Sequence, residues 1–406
     1  MTFRTIKSFD LSGKTILLRV DLNVPFQDGH VTDSTRIDRL KPTIDYLKAH
    51  GARTLILSHF GRPGGAVKKE FSLAFLPPVL ETQWGVPVKF ASDCIGAPAK
   101  DLALSLENGQ FGLLENLRFH AGEEQNDPEF AKNLAALGDI YINDAFSAAH
   151  RAHASTEGLA HLLPAGAGLL MEAELNALNS ALGNPVHPVV AIVGGAKIST
   201  KLGILDHLVH KVDTLFLGGG MANTFLFARG IEIGKSLCEH DMATQARQIM
   251  QTASDHGCTI LLPEYRVVVE ELAPDAPFEI CHNTMPKEMM AVDAAPASIA
   301  LLKETLQSAK TVLWNGPLGV FEMKPFDNGT NEAAREVATL TKAGKIISVA
   351  GGGDTIAALE NAGTADDFTY ISTAGGAFLE WLEGKTLPGV AALMEMQNTR
   401  SPVMQT

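Results

Sequence analysis

The chain has 406 residues, 46% of them hydrophobic, and carries 33 Lys and Arg against 46 Asp and Glu, for a formal net charge of −13. That length sets a prior of two to three domains at about 150 residues each, and an acidic balance without a basic stripe excludes nucleic acid as the main partner. No run approaches the ~18 apolar residues of a membrane span, MTFRTIKSFD lacks the apolar core of a signal peptide, and four cysteines without a C-x-x-C read as reduced thiols, so a soluble cytoplasmic protein is expected.

In chain order, β-rich apolar runs predict strands at 15–19, 54–58, 111–114 and 140–143, with a helical pattern at 73–80. Cations set among Gly, Pro, Asn and His follow or flank these runs: RVDLNVP (19–25), SHFGRP (58–63), LRFH (117–120) and AHRAHAS (149–155). Arg36, Arg62, Arg118 and Arg151 thus accompany His59, His120, His150 and His153 at strand ends or turns, where open α/β sheets bind ligands. Guanidinium forks suit carboxylate and phosphate. Singly each arginine reads as a surface ion-pair partner; together they read as a pocket for a small, multiply charged anion. Asp21 and Asn23 either orient hydroxyls of that ligand or serve the turn before Pro25. The histidines are either buried partners or anion donors, and their spacing does not suggest zinc.

Pro164, Gly166 and Gly168 then precede a helical stretch at 171–182 that stops at Gly183-Asn184-Pro185. It is either a hinge between two α/β blocks or one more crossover helix in a single sheet; chain length favours two sheets. Further strands are expected at 189–193, 214–217, 259–262, 312–314, 345–349 and 370–372, alternating with helical patterns at 199–208, 241–255, 299–308 and 332–340. Runs with few polar interruptions suggest strands buried on both faces, hence parallel sheets covered by helices.

This half carries glycine clusters: VGGAKISTK (193–201), LGGGMA (217–222) and AGGGDT (350–355). Bare backbone N–H groups beside a lysine suit a nucleotide phosphate chain. A helix starting at Ser199 would put Lys201 in its first turn, against the macrodipole unless an anion binds there. Asp354 either caps the next helix or holds Mg²⁺. Gly218 to Gly220 form either a flat wall for a purine or a strand-to-helix turn. Asn315-Gly316-Pro317 ends another strand, and Glu322 beyond it either bonds ribose hydroxyls or is a surface acid. The dinucleotide fingerprint fails at Asn223, and Gly234-Lys235-Ser236 has Arg229 where a P-loop needs its first glycine; neither a Rossmann dehydrogenase nor a P-loop NTPase is supported. A two-lobed solute-binding protein would need an export signal and would have no use for the glycine–lysine set.

With these residues laid out, the chain resembles the phosphoglycerate kinase family. TILLRVDLNVP, SHFGRP, LENLRFH, NDAFSAAHRAHAS, VGGAKISTK, LGGGMANTF, WNGPLGVFE and AGGGDT follow the family's order, and STAGGAFLEWLEGKTLPGV extends the match to Val390. The resemblance implies an α/β fold of two doubly wound parallel-sheet lobes joined by a hinge helix. The divisions expected are 1–170 for 3-phosphoglycerate, 171–187 as hinge helix and linker, 188–390 for ATP or ADP, and a tail, 391–406, packing back on the first lobe. It implies a monomeric glycolytic enzyme that moves a phosphoryl group reversibly between Mg-ATP and the substrate carboxylate. By motif, the substrate contacts are Asp21, Asn23, Arg36, His59, Arg62, Arg118 and Arg151. The nucleotide contacts are Lys197, Lys201, Gly219, Asn315, Glu322, Gly352, Gly353, Asp354 and Thr355, with Asp354 at the metal and Arg36, Lys197 and Lys201 catalytic. A carboxylate of pKa about 4 is ionised at neutral pH and needs no general base, so catalysis reduces to alignment and charge neutralisation after the lobes close. Three positions depart from the family pattern: Ala374 before Gly375-Gly376, Ala294-Ala295, and Glu264 in Pro263-Glu264-Tyr265.

Overall fold

A computed structural model describes residues 3–395. The chain forms two compact units: one runs to Leu175 and is rejoined by the segment from Thr386, and the other spans Asn176–Lys385. The boundary falls inside the helix Leu169–Leu178, which runs on into a π turn at Asn179–Gly183. Among the described residues no helix is long and apolar enough to cross a membrane.

The first unit is built on β1 (Thr15–Arg19), a small hairpin of β2 (Phe26–Gln27) and β3 (His30–Val31), then β4 (Arg53–Leu57), β5 (Val88–Phe90), β6 (Phe111–Leu113), β7 (Ile140–Asn143) and β8 (Ala165–Ala167). Six of these pair in the order β5-β6-β4-β1-β7-β8, and every ladder is parallel. All five residues of β1 are buried, as expected of a parallel strand covered on both faces. Helices such as Lys41–Ala49 and Leu76–Trp84 bury Ile44, Leu47, Leu80 and Trp84 against Ile16, Leu18 and Ile56. The Trp84 indole N–H donates to Ile37 O at 2.9 Å, which satisfies its one polar atom. The chain adds strands first on the β4 side of β1 and later on the β7 side. Loops at the carboxyl ends of β1 and β7 therefore diverge and leave a crevice.

The second unit contributes β9 (Val189–Val193), β10 (Thr214–Leu217), β11 (Thr259–Leu261), β12 (Tyr265–Val269), β13 (Glu279–His282), β14 (Met290–Ala294), β15 (Thr311–Asn315), β16 (Ile347–Gly351) and β17 (Tyr370–Ser372). The main sheet runs β11-β10-β9-β15-β16-β17, all parallel. By rank along the chain that order is 3-2-1-4-5-6, so direction reverses between β9 and β15. The fold is thus two six-stranded, parallel, doubly wound α/β units.

The sequence pattern did not anticipate the antiparallel sheet β13-β12-β14. Its alternation is broken by a register shift at Val267/Val268, and β13 is exposed except at Cys281. Nor did it anticipate β5 and β8, three-residue edge strands; Ala-Gly-Ala has no β-propensity of its own. The helix expected from 199 is a 3₁₀ turn, Ile198–Thr200, followed by Leu202–Leu208. Lys201 therefore precedes the helix rather than lying in its first turn. Of the expected tail, 391–395 close the helix Pro388–Glu395, whose Gly389 N–H donates to Ala149 O at 2.9 Å; residues 396–406 lie outside the described residues.

Candidate active site

At the carboxyl end of the first unit's sheet, the turn after β1 pins Arg36. Its Nη1 donates to Asp21 Oδ2 at 2.8 Å and to Asn23 O at 3.0 Å. Asp21 also accepts from Ser147 Oγ and, at 3.0 Å, from Asn23 N–H. Burial opposes a charge on Asp21, yet the neighbouring His59, then Arg36 and these hydrogen bonds, hold its carboxyl below the ordinary value. Asn23 Oδ1 accepts the Gly61 N–H at 2.9 Å, which ties this turn to the loop after β4 that carries His59 and Arg62.

Arg118 is buried in the turn Leu117–Phe119 and donates through Nη1 to Gly61 O at 2.8 Å. Its Nε lies 3.1 Å from Glu124 without hydrogen-bond geometry, so the attraction there is one of charge. Arg151 is half-buried and donates to His150 Nε2 at 3.1 Å. Arg62 is exposed and makes no hydrogen bond or ion pair with the described residues. The loops after β1, β4, β6 and β7 thus bring Asp21, Arg36, His59, Arg118, His150, Arg151 and His153 into bonded or electrostatic contact, while Arg62 stands exposed and His120, on the β6 loop, bonds Asp93 at 2.7 Å.

Two histidines report the sign of the local potential. His59 is pushed well below its ordinary value by burial and then by Arg19, Arg118 and Arg151, against the pull of Asp21. His153 falls to about 4, through burial and the guanidinium groups of Arg118, Arg19 and Arg151. Burial leads in both cases and would disfavour a charge of either sign; it is the added contribution of the guanidinium groups that favours an anion there. Arg19 opens the motif RVDLNVP at the end of an apolar run, but nothing in the residue pattern placed it among the ligand contacts. Glu123, Ser147 and Ser155, which hold this network together, carried no spacing signal at all.

In the second unit, the loops after β9, β10 and β15 lock onto one another at the reversal point. Gly194 N–H donates to Asn315 O at 3.0 Å, Gly219 N–H to Leu318 O at 2.8 Å and Met221 N–H to Gly195 O at 2.9 Å. A Cβ on Gly194 would lie 1.8 Å from Pro317 O, and one on Gly219, at φ +69°, 2.6 Å from Gly195 O. These glycines are required by backbone meeting backbone. The loops enclose a cavity of about 260 Å³ whose walls include Gly219, Leu237, Pro317 and Phe321, with Glu322 and Asp354 also on its lining.

Beside it, Lys201 Nζ donates to Asn315 Oδ1, Asn315 Nδ2 to Gly351 O at 2.7 Å and Gly316 N–H to Thr355 Oγ1 at 2.6 Å. Asn315 and Thr355 are buried and brace the loops. Burial lowers the Lys201 ammonium, opposed by Asp354 and Glu383. Gly353 opens the helix Gly353–Asn361 with open space where a side chain would stand. Asp354, exposed in its first turn, makes no hydrogen bond or ion pair with the described residues. A free carboxylate on the cavity lining fits a hard cation bound beside phosphates. Lys197 and Glu322 are exposed. Asp293, not anticipated, is buried in the same lining; it accepts from Gly329 N–H at 2.7 Å and Ala294 N–H at 2.8 Å, and burial raises its carboxyl to about 7. Ala374 is buried, with its N–H 3.3 Å from Ser372 Oγ.

A family model described as phosphoglycerate kinase matches residues 6–385. The chain belongs to the phosphoglycerate kinase family. It is similar to the phosphoglycerate kinase of Rhodospirillum centenum, 58% identical over 398 residues, covering 97% of this chain and 100% of the relative. It is 60% identical over 394 residues to that of Ruegeria sp., with coverage of 97% and 100%. Among solved structures, phosphoglycerate kinase from Coxiella burnetii superposes with a TM-score of 0.91 at 42% identity, covering 97% of this chain and 100% of that one. The Pyrococcus horikoshii enzyme gives 0.79 at 30% identity, with coverage of 98% and 100%. By family the chain is a phosphotransferase of glycolysis, with ATP or ADP and 3-phosphoglycerate as its substrates.

Proposed function

We propose that the chain transfers a phosphoryl group reversibly between Mg-ATP and the carboxylate of 3-phosphoglycerate by charge neutralisation and closure of its two units, without a general base. The observation that carries this reading is the convergence of Arg19, Arg118 and Arg151 on His59 and His153, whose guanidinium charges add to burial in holding both imidazoles below their ordinary value. Such a pocket suits a substrate with both phosphate and carboxylate, and its arginines stay charged at any working pH.

In this reading Arg62, Arg118, Arg151 and His59 receive the substrate phosphate, while Asp21 and Asn23 orient it. Arg36, held by Asp21 and Asn23 O, takes the carboxylate and the charge that develops on it. In the second unit the cavity takes the purine against Gly219, with Glu322 on the ribose. N–H groups of Gly353, Asp354 and Thr355 open a helix toward the phosphates, with Gly352 and Asn315 shaping that turn. Lys201 contacts the nucleotide phosphates and exposed Lys197 follows the transferred group. Asp354 would hold Mg²⁺, which when bound neutralises phosphate oxygens. Each unit alone leaves its ligand open to water, so transfer requires the two to approach.

A coupled assay for ADP formed from ATP and 3-phosphoglycerate tests the reading, with Mg²⁺ omitted as control. Turnover that needs all three components is expected. ATP consumption indifferent to 3-phosphoglycerate would refute it.

A further inference from the structure

Arg19 at the end of β1 is 1% exposed, a burial that guanidinium tolerates only with its N–H groups engaged. Its Nε donates to Ser155 Oγ at 2.9 Å, its Nη1 to Val20 O, and its Nη2 faces His59 Nδ1 at 3.1 Å. The direction of the next bonds follows. Ser155 accepts from Arg19, so its one hydroxyl proton goes to Glu123 Oε1 at 2.6 Å, while the Ser155 N–H donates to Glu123 Oε2 at 3.0 Å.

Guanidinium has no lone pair to offer and does not lose its proton near neutrality. His59 Nδ1 must therefore be the acceptor, which leaves the ring proton on Nε2. We propose that Arg19 is a positioning residue for the transfer reaction: it fixes His59 as the neutral Nε2–H tautomer and makes it a hydrogen-bond donor of constant charge.

Protonating Nδ1 would set an N–H against the Arg19 N–H groups and break the bond that orients the ring. The charged groups facing His59 are Arg19 on β1, Asp21 in the following turn, Arg118 in the Leu117–Phe119 turn and Arg151 in the loop beyond Phe146–Ala148. Asp21 is the acid among them and is already engaged by Arg36. Charge in the pocket is thereby left to arginines, which do not titrate. His59 adds a hydrogen bond whose strength does not drift with pH. The consequence for substrate rests on His59 being a 3-phosphoglycerate contact, as proposed above; the tautomer itself does not.

The test is a two-bond ¹⁵N–¹H spectrum of the histidine side chains in the intact, ligand-free chain from pH 8 to 5, with His59→Ala used to assign the signal. His59 is expected to show a protonated Nε2 and a bare Nδ1 throughout, without titrating. An Nδ1–H pattern, or titration near the ordinary histidine value, overturns the proposal. In Arg19→Met, of similar length and apolar, His59 is expected to gain a titration. KM for 3-phosphoglycerate should become pH-dependent and rise about tenfold, as loss of an aligned hydrogen bond implies, while KM for ATP stays put. Arg19→Lys, whose single ammonium cannot span Ser155 and His59 as the fork does, should fall between. An Arg19→Met chain with the wild-type His59 spectrum overturns the proposal without reference to activity. If the wild-type spectrum is as expected but His59→Ala keeps a normal KM for 3-phosphoglycerate, the substrate reading fails and the tautomer lock stands.

Discussion

Replacing Gly353 and Gly194 by alanine separates a glycine reserved for a ligand from one required by the fold. At Gly353 nothing lies within 4 Å of the Cβ position, and the residue opens a helix without a positive φ. Alanine there restricts the unfolded chain and should stabilise the folded one by about 0.4–1 kcal/mol. If phosphates approach that N-terminus, the same methyl stands between them and the N–H groups, and a displacement of order 1 Å is worth up to ~10²-fold. Gly353→Ala should therefore raise both the denaturation midpoint and the KM for ATP, the latter tenfold or more, with KM for 3-phosphoglycerate unchanged. At Gly194 the Cβ would stand 1.8 Å from Pro317 O, in a loop tied down by the bond to Asn315 O. That contact cannot relax without breaking the loop junction, so Gly194→Ala should cost about 3 kcal/mol, the top of the ordinary overpacking range. Urea unfolding and steady-state kinetics on both variants decide the matter. A Gly353→Ala chain with unchanged KM for ATP would show that no phosphate reaches that helix, and a Gly194→Ala chain of normal stability would show that the loop contact is not what requires glycine.

Arg36→Ala and Lys197→Ala should each lower kcat by ~10²-fold or more, since both are assigned to charge that develops in transfer; near-normal kcat would remove the role. Asp354→Asn should raise the Mg²⁺ concentration needed for half-maximal rate while leaving KM for 3-phosphoglycerate alone, and an unshifted Mg²⁺ titration would move the metal elsewhere. His153, at about 4 in the folded state against an ordinary value near 6.5, binds its proton more readily when unfolded. Its contribution to stability is present above ~6.5 and is lost as pH falls through the window toward 4. Urea midpoints at pH 7 and 4.5 should fall more for the wild type than for His153→Asn; parallel loss would refute the assignment.

The parallel strands were legible because burial on both faces leaves apolar runs, and β1, β7, β9, β10 and β17 begin and end where the residues suggest. Strand order was not, since β9 lying between β10 and β15 is a long-range pairing that no local pattern encodes. The glycine clusters were visible, but their meaning was mixed: Gly194 and Gly219 answer to neighbouring backbone, whereas Gly353 faces open space. Arginines at the ends of apolar runs stood out, Arg19 among them, but its role did not, because its partners Ser155, His59 and Glu123 come together only in the fold. Lys201 was placed one structural step wrong: the 3₁₀ turn before it leaves it at the helix entrance.

The central claim is that each unit holds one substrate and that transfer waits for the two to meet. Small-angle X-ray scattering of the intact chain tests it most directly, recorded without ligand, with 3-phosphoglycerate alone, with Mg-ADP alone and with both. The account predicts a smaller radius of gyration with both ligands bound than with either alone. Profiles that coincide in all four conditions, at ligand concentrations that saturate activity, would contradict it.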